Sequence, residues 1–307
     1  MRVAVTGATG FIGRALVREL AGRGDEVVAL TRDPEAARSR LPAGLDAMRW
    51  AAPKAEPPPI EALAGSDGVV NLLGEAIDQR WTDGARREIR DSRVLGTRNL
   101  VAGLRAAEPR PGVLVSQSAI GYYGARGDEA VDEAAQPGPG DDFLAQLVVE
   151  WEAEARRAED LGVRVALTRT GVVLSADGGA LARMLPPFKA GVGGPVAGGR
   201  QYVPWVDLDD VVGALLFCLD DDRAGGPLNV TAPEPVTNKE LSKALGRVLR
   251  RPAVMPVPAF ALRLLYGEMS SVVTTGTRAV PRRLQELGYR FRRPDLEDSV
   301  RAATGRN

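Results

Sequence analysis

The sequence predicts an α/β fold: a doubly wound parallel sheet carrying a smaller C-terminal α+β lobe. Three observations carry this. Near the start, an apolar run, Val3-Ala4-Val5-Thr6, leads into three glycines spaced three apart, Gly7, Gly10 and Gly13. An amphipathic helix pattern follows, with Phe11, Ile12, Ala15, Leu16, Val17 and Leu20 near one face. Strand-like and helix-like runs then alternate as far as Thr170, the order that builds a parallel sheet. Beyond Thr170, glycine-rich loops and short helices take over.

The first of these is also the strongest functional signal. The first amides of a helix have no internal partner and sit at the positive end of its dipole. A strand, a glycine turn and a helix start therefore make a phosphate site. Gly7 and Gly10 let the backbone turn and approach a pyrophosphate, and Gly13 lets helix and strand pack closely. A second strand follows within about 30 residues, as a Rossmann-type dinucleotide-binding unit requires. Gly7, Thr9, Gly10, Phe11, Ile12 and Gly13 are thus the candidate phosphate-binding segment.

Glu26-Val27-Val28-Ala29-Leu30 reads as that second strand and ends at Thr31-Arg32-Asp33. An acid at this position binds the ribose of NAD, whereas an arginine accommodates the 2′-phosphate of NADP. Arg32 comes first, which favours NADP over NAD; a solvated surface arginine is the plainer alternative. Residues 51–59 form a stiff, proline-rich loop rather than a linker. Asp67 to Gly74 is a buried strand, and Leu72, Leu73 and Gly74 at its end are expected beneath the cofactor. A long helix runs from Thr82 to about Ala107, with Glu88 and Arg93 as candidates to face the site; a surface ion pair is as good a reading of Glu88. The strand Val113–Ser118 places Ser116, a candidate for cofactor contact, and Ser118 at its end, followed by Tyr122, Tyr123 and Gly124. A helix is expected over 141–160 and a strand over 163–168. Later elements are a strand entering an apolar helix over 205–219, then helices near 239–249, 259–266, 281–287 and 296–303. The dinucleotide domain is assigned to 1–170 plus the helix near 207–220. The lobe takes 171–307, with its terminal unit at about 251–300.

Composition narrows the chemistry. The 307 residues are 44% hydrophobic and 26% charged, with formal net charge +0, so nothing favours a nucleic-acid partner. No run of 18 apolar residues occurs and no leader-like segment precedes the first strand, so a cytoplasmic protein without a membrane partner is expected. Cys218 is the only cysteine and there is no histidine, so no metal site and no histidine-based triad is expected. Lysine occurs only at 54, 189, 239 and 243, so arginine carries nearly all the positive charge.

Taken together, the motifs resemble the extended short-chain dehydrogenase/reductases, the NAD(P)-dependent epimerases and dehydratases. The markers are Gly7-x-x-Gly10-x-x-Gly13, Asn71-Leu72-Leu73-Gly74, Gly96-Thr97-Arg98-Asn99-Leu100, Ser116-x-Ser118 and Tyr123-Gly124. More narrowly, Trp151-Glu152, Arg169 to Leu174, Gly193-Gly194-Pro195, Gly199-Arg200-Gln201 and Asn229 to Pro233 are similar to an epimerase-like subfamily ending in a domain of unknown function. The resemblance implies that Thr31 and Arg32 hold the adenosine end and that Leu72 and Leu73 line the groove. It also implies that Glu88, Arg93 and Val173 contact NADP, and that Ser118 is the catalytic serine. A homodimer follows only by analogy.

One departure matters. The family's acid/base tyrosine and its lysine four residues on are replaced by Phe143 and Leu147. An unperturbed phenol, near pKa 10, is a poor base at neutral pH, and the lysine is what corrects this. Tyr122 or Tyr123, under the field of Arg93 or Arg126, is the substitute expected from the sequence, with a depressed pKa. The plainer reading makes both tyrosines pocket lining. Asp207, Asp209 and Asp210 are alternative bases or helix caps; Trp205 and Phe188 read as core or pocket lining. The expected function is an NADP-dependent oxidoreductase or epimerase-like enzyme acting on a small carbonyl, alcohol or sugar-like substrate. The alternative is a non-catalytic NADP-binding sensor or regulator.

Overall fold

The computed structural model describes residues 1–306. Its first half runs β1 (Arg2–Thr6), α1 (Phe11–Gly22), β2 (Glu26–Thr31), α2 (Pro34–Arg38), β3 (Asp46–Arg49), α3 (Ile60–Leu63), β4 (Gly68–Asn71), α4 (Asp83–Ala106), β5 (Val113–Ala119), β6 (Ala130–Val131) and α5 (Phe143–Arg156). The second half runs β7 (Arg164–Thr170), β8 (Val172–Leu174), α6 (Gly179–Lys189), β9 (Tyr202–Val203), β10 (Trp205–Asp207), α7 (Leu208–Asp220), β11 (Gly226–Val230), β12 (Val236–Thr237), α8 (Asn238–Leu249), α9 (Ala259–Tyr266), α10 (Ser271–Thr274), β13 (Arg278–Ala279), α11 (Arg282–Glu286) and α12 (Leu296–Thr304).

Seven strands form one parallel sheet in the order β3-β2-β1-β4-β5-β7-β11. The order reverses between β1 and β4, and ligands of such sheets bind beyond the strand ends at that reversal. In register, Thr6 of β1 lies between Leu30 of β2 and Asn71 of β4. The Gly7 turn, the Thr31-Arg32 end and the Leu72-Leu73-Gly74 end therefore leave the sheet side by side.

Strands buried on both faces need an apolar layer on each. On one side, Leu16, Val17 and Leu20 of α1 meet Val211, Leu215 and Cys218 of α7 over the sheet. On the other, Leu100 and Leu104 of α4 pack with Ala155 of α5 over Val69, Leu114 and Val165. A third cluster, built around Leu181, Phe188, Trp205 and Leu245, fills the lobe, which answers the expectation for Phe188 and Trp205.

One assignment changes. β11 belongs to the large sheet, so the dinucleotide domain reaches beyond 170 and the 207–220 helix to include 226–230. Its Pro227 is tolerated because β11 is an edge strand, where a missing amide donor costs least. The terminal segment packs against both parts of the chain. Leu284, Leu287, Tyr289 and Phe291 join the sheet's own core, while α12 packs on α8.

Candidate nucleotide site and the polar cluster beside it

The glycine turn has the geometry a dinucleotide needs. Gly7 has φ +65°, and a Cβ there would lie 2.5 Å from the Leu72 carbonyl oxygen. A Cβ on Gly13 would overlap the Gly7 carbonyl oxygen. Gly10 differs: its added Cβ would meet only that oxygen, at 3.1 Å, so its outer side is open. The Gly10 amide donates to Gly7 O at 2.9 Å, closing the turn, and Gly10 caps α1 with no side-chain acceptor. The first turn of α1 carries no acid. Its amides are left for an incoming anion.

Beneath the turn, a buried polar seam fixes the strand ends. Thr6 Oγ1 donates to Asn71 Oδ1 (2.9 Å) and accepts from Leu72 N (3.0 Å). Asn71 Nδ2 donates to Thr97 Oγ1 (2.9 Å) and Ser116 Oγ (3.2 Å), and Trp151 Nε1 reaches the same Thr97 oxygen (3.0 Å). Ser116 was expected to touch the cofactor. Its hydroxyl is instead fully buried in this seam, as a brace beneath the site.

Around the turn, Thr31 is half-buried and Arg32 is exposed, with no ion pair among the described residues. Asp33 is consumed as the cap of α2, accepting from Ala36 N at 3.1 Å. Phe11 packs on the Gly178-Gly179 backbone just after β8, which carries the half-buried Val173. Leu73 is half-buried against the sheet core and Gly74 lies against the Arg93 guanidinium. Arg93 donates to Glu75 O (2.9 Å) and Ile89 O (3.1 Å) and stacks over Trp151 at 5.3 Å. Burial pulls its pKa down to about 10, against the opposing charge of Glu75. Glu88 is a correction: it is exposed and pairs with Lys54 at 2.7 Å, the surface ion pair.

The end of β5 holds a second cluster. Ser118 Oγ donates to Glu152 Oε1 at 2.6 Å. Glu152, on α5, receives Arg169 Nε (2.8 Å) and Nη2 (2.9 Å), a bidentate pair buried to 5% and 3% side-chain exposure. Arg169 Nη1 donates to Tyr123 OH (3.0 Å), and that hydroxyl donates to Asn229 Oδ1 (2.7 Å). The Arg169 carbon Cζ lies 3.4 Å from the centre of the half-buried Tyr122 ring. Burial opposes the charge on Arg169, but the Glu152 carboxylate outweighs it and its pKa is raised.

This corrects the expected proton carrier. Tyr123 is fully buried and its phenol is pushed up to about 12, chiefly by burial, rather than depressed. The cation over the tyrosines is Arg169; Arg126 is spent on the carbonyls of Tyr123, Gln136 and Pro137. Tyr122 remains, its hydroxyl making no hydrogen bond among the described residues. Phe143 and Leu147 are packed among Ile89, Val94, Trp81 and Trp151, so no proton carrier stands there. The aspartates are structural. Asp207 caps α7 and accepts from Ser299 Oγ (2.6 Å), Asp210 receives the amides of Arg292 (2.6 Å) and Arg293 (3.0 Å), and Asp209 pairs with Arg293 (2.8 Å). A cleft of about 340 Å³ lined by Arg18, Asp177, Asp209 and Arg292 lies along the flank of α1; of the candidate residues it holds only Asp207 and Asp209.

The pairing of Glu152 with Arg169 was not anticipated. The available signal was an arginine inside the buried run of β7, which must find a carboxylate. For Tyr123, the raised phenol pKa means that its contribution to stability is complete below pH 10, the unfolded value, and is lost as pH rises through about 12. Tyr123→Phe is expected to lose about 1–2 kcal/mol at neutral pH and to flatten that alkaline decline. Denaturant melts from pH 8 to 12 check this; an unchanged alkaline limb removes Tyr123 as its source.

With the geometry in place, comparison settles the lineage. The profile of the NAD-dependent epimerase/dehydratase family matches residues 3–231. The chain belongs to that family. A domain of unknown function, DUF1731, matches residues 257–303. The chain is 42% identical to the chloroplastic SDR39U1 homolog of Arabidopsis thaliana, over 98% of this chain and 86% of that one. It is 40% identical to the epimerase family protein Mb2239 of Mycobacterium bovis, over 99% and 98%. Among solved structures, human epimerase family protein SDR39U1 (isoform 2) with NADPH superposes with TM-score 0.88 at 33% identity, covering 99% of both chains. This epimerase-family chain therefore has the Rossmann-like fold expected of it.

Proposed function

We propose that the protein is an NADP-dependent oxidoreductase or epimerase-like enzyme acting on a small carbonyl, alcohol or sugar-like substrate. The observation that carries this is the uncapped, acid-free start of α1 behind a turn whose Gly7 and Gly13 leave no room for side chains and whose Gly10 faces open space. Such a cradle fits a pyrophosphate. Gly7, Thr9, Gly10, Phe11, Ile12 and Gly13 would hold it, Leu72, Leu73 and Val173 would line the groove, and Arg32 would take the 2′-phosphate. The NADPH bound to human SDR39U1 supports the choice of cofactor. When bound, the nicotinamide would supply hydride chemistry.

The chain's own part is to hold the oxygen side of the reaction. Tyr122 presents a phenol oxygen without a partner among the described residues, while Arg169 fixes its ring from above. Ser118, the catalytic serine that the family resemblance implies, is 1% exposed and donates its hydroxyl proton to Glu152, so it would act as a brace beside Tyr122 and not on the substrate oxygen. The test begins with mass spectrometry of the purified protein for retained NADP(H), then a screen of carbonyls and sugar nucleotides. Arg32→Ala is expected to weaken NADPH by about tenfold or more, the worth of a hydrogen bond to a charged group, and to leave NADH nearly unchanged. Equal losses would remove Arg32 from 2′-phosphate recognition.

A second reading is favoured by one observation, the apolar packing of Phe143 and Leu147 where the proton machinery is expected. It makes the protein an NADP-holding sensor. Tight NADPH binding with no hydride exchange across the screen decides for it. Measurable exchange that Tyr122→Phe abolishes decides for the enzyme.

A further inference from the structure

We infer that residues 254–273 form a face that seats on an anionic lipid bilayer. Helix α9 buries none of its residues. Phe260, Leu264 and Leu265 are 76%, 77% and 67% exposed, and Val254 just before them is 79% exposed. Phe260 and Leu264, four apart, share one helix face. Met255, Val272 and Val273 continue the exposed apolar run. Single apolar side chains on a surface are ordinary, but a concentration of them marks a docking face.

The face is presented by an anchored backbone. Before α9, Val257 N donates to Pro195 O (2.9 Å) and Val257 O accepts from Ala197 N (2.9 Å). After it, Glu268 pairs with Arg86 at the start of α4, and Gln201 Nε2 donates to Val273 O (2.9 Å). The apolar stretch is thus tied to the body at both ends while its side chains stay exposed.

Charge selects the occupant. From 250 to 278 the chain carries Arg250, Arg251, Arg263 and Arg278 and a single acid, Glu268, which Arg86 already neutralises. These four arginines are exposed and make no ion pair among the described residues, although the whole chain has formal net charge +0. Two copies brought together through this face would set arginine against arginine. An anionic headgroup layer instead receives the guanidinium groups while the side chains of Phe260 and Leu264 enter the acyl boundary. The helix lies in the interface and does not span it; no helix among the described residues is long and apolar enough to cross a membrane.

The test is co-sedimentation of the full chain with phosphatidylcholine vesicles, with and without phosphatidylglycerol. Expected is binding to the anionic vesicles only, weakening as salt rises. Phe260→Glu/Leu264→Glu, at exposed positions, is expected to keep its melting temperature and stay in the supernatant. Arg251→Ala/Arg263→Ala is expected to weaken binding by roughly fivefold per arginine removed. Failure to bind anionic vesicles, equal binding to neutral ones, or binding that survives the double glutamate change each overturns the inference. So does a concentration-dependent dimer in sedimentation velocity that the same change dissolves, since that gives the face to a second copy.

Discussion

Arg169→Met is expected to destabilise the protein by about 3–5 kcal/mol, because it leaves the Glu152 carboxylate buried without its counter-charge. The same change strips one donor from Tyr123 and the cation from above Tyr122. For a chain of this size the melting temperature should fall on the order of 10 °C. The double variant Arg169→Met/Glu152→Leu should recover a large part of the loss, since replacing both members of a buried pair by apolar groups is far less costly than removing one. Recovery will be incomplete, because Ser118 and Tyr123 then lose partners of their own. Thermal melts of the two single variants and the double complete the cycle. If Arg169→Met melts within about 1 °C of the parent, the pair is not what holds β5, β7 and α5 together.

The second large effect separates two glycines of one turn. Gly13→Ala places a methyl group into the Gly7 carbonyl. It should cost about 1–3 kcal/mol of stability through overpacking, and binding with it. Gly10→Ala adds a methyl group on the open side, with only the 3.1 Å approach to Gly7 O to relieve. Its unliganded melting point should stay close to the parent's, while the approach of a pyrophosphate is blocked. A ligand present at about 100 times its dissociation constant stabilises by about 2.7 kcal/mol, so the parent should show a clear thermal shift with NADPH that Gly10→Ala largely loses. A full shift in Gly10→Ala would place the pyrophosphate elsewhere. Loss of the shift in a Gly10→Ala protein that is itself unfolded would show that the residue is structural.

How much could be read from the chain alone follows from how local each signal is. The Gly7 turn, α1 and β2 lie within one stretch of about 30 residues, and their spacing carries the geometry. The helices over 83–106, 238–249 and 259–266 showed themselves by their period. β3 did not, because Asp46–Arg49 is a short, half-exposed edge strand with no apolar run. β11 was missed for the opposite reason: it opens with Gly226-Pro227, a pair that signals a turn anywhere except at a sheet edge. Ser118, Glu152 and Arg169 come from β5, α5 and β7, and no spacing rule reports a side-chain contact among three separate elements. The fate of Tyr123 had the same origin. Its hydroxyl is paired with Asn229, 106 residues away.

The order of synthesis bears on one further feature. The core face between α1 and α7 is completed by Leu284, Leu287 and Phe291, and Tyr289 stacks edge-on against Phe217 at 5.5 Å and donates to the Asp210 carbonyl at 3.1 Å. These groups leave the ribosome long after the strands they cover. Until they emerge, the nascent nucleotide domain presents Phe217 and its neighbours to water, so a message truncated upstream of them yields a chain with a sticky flank, a substrate for chaperones and proteases.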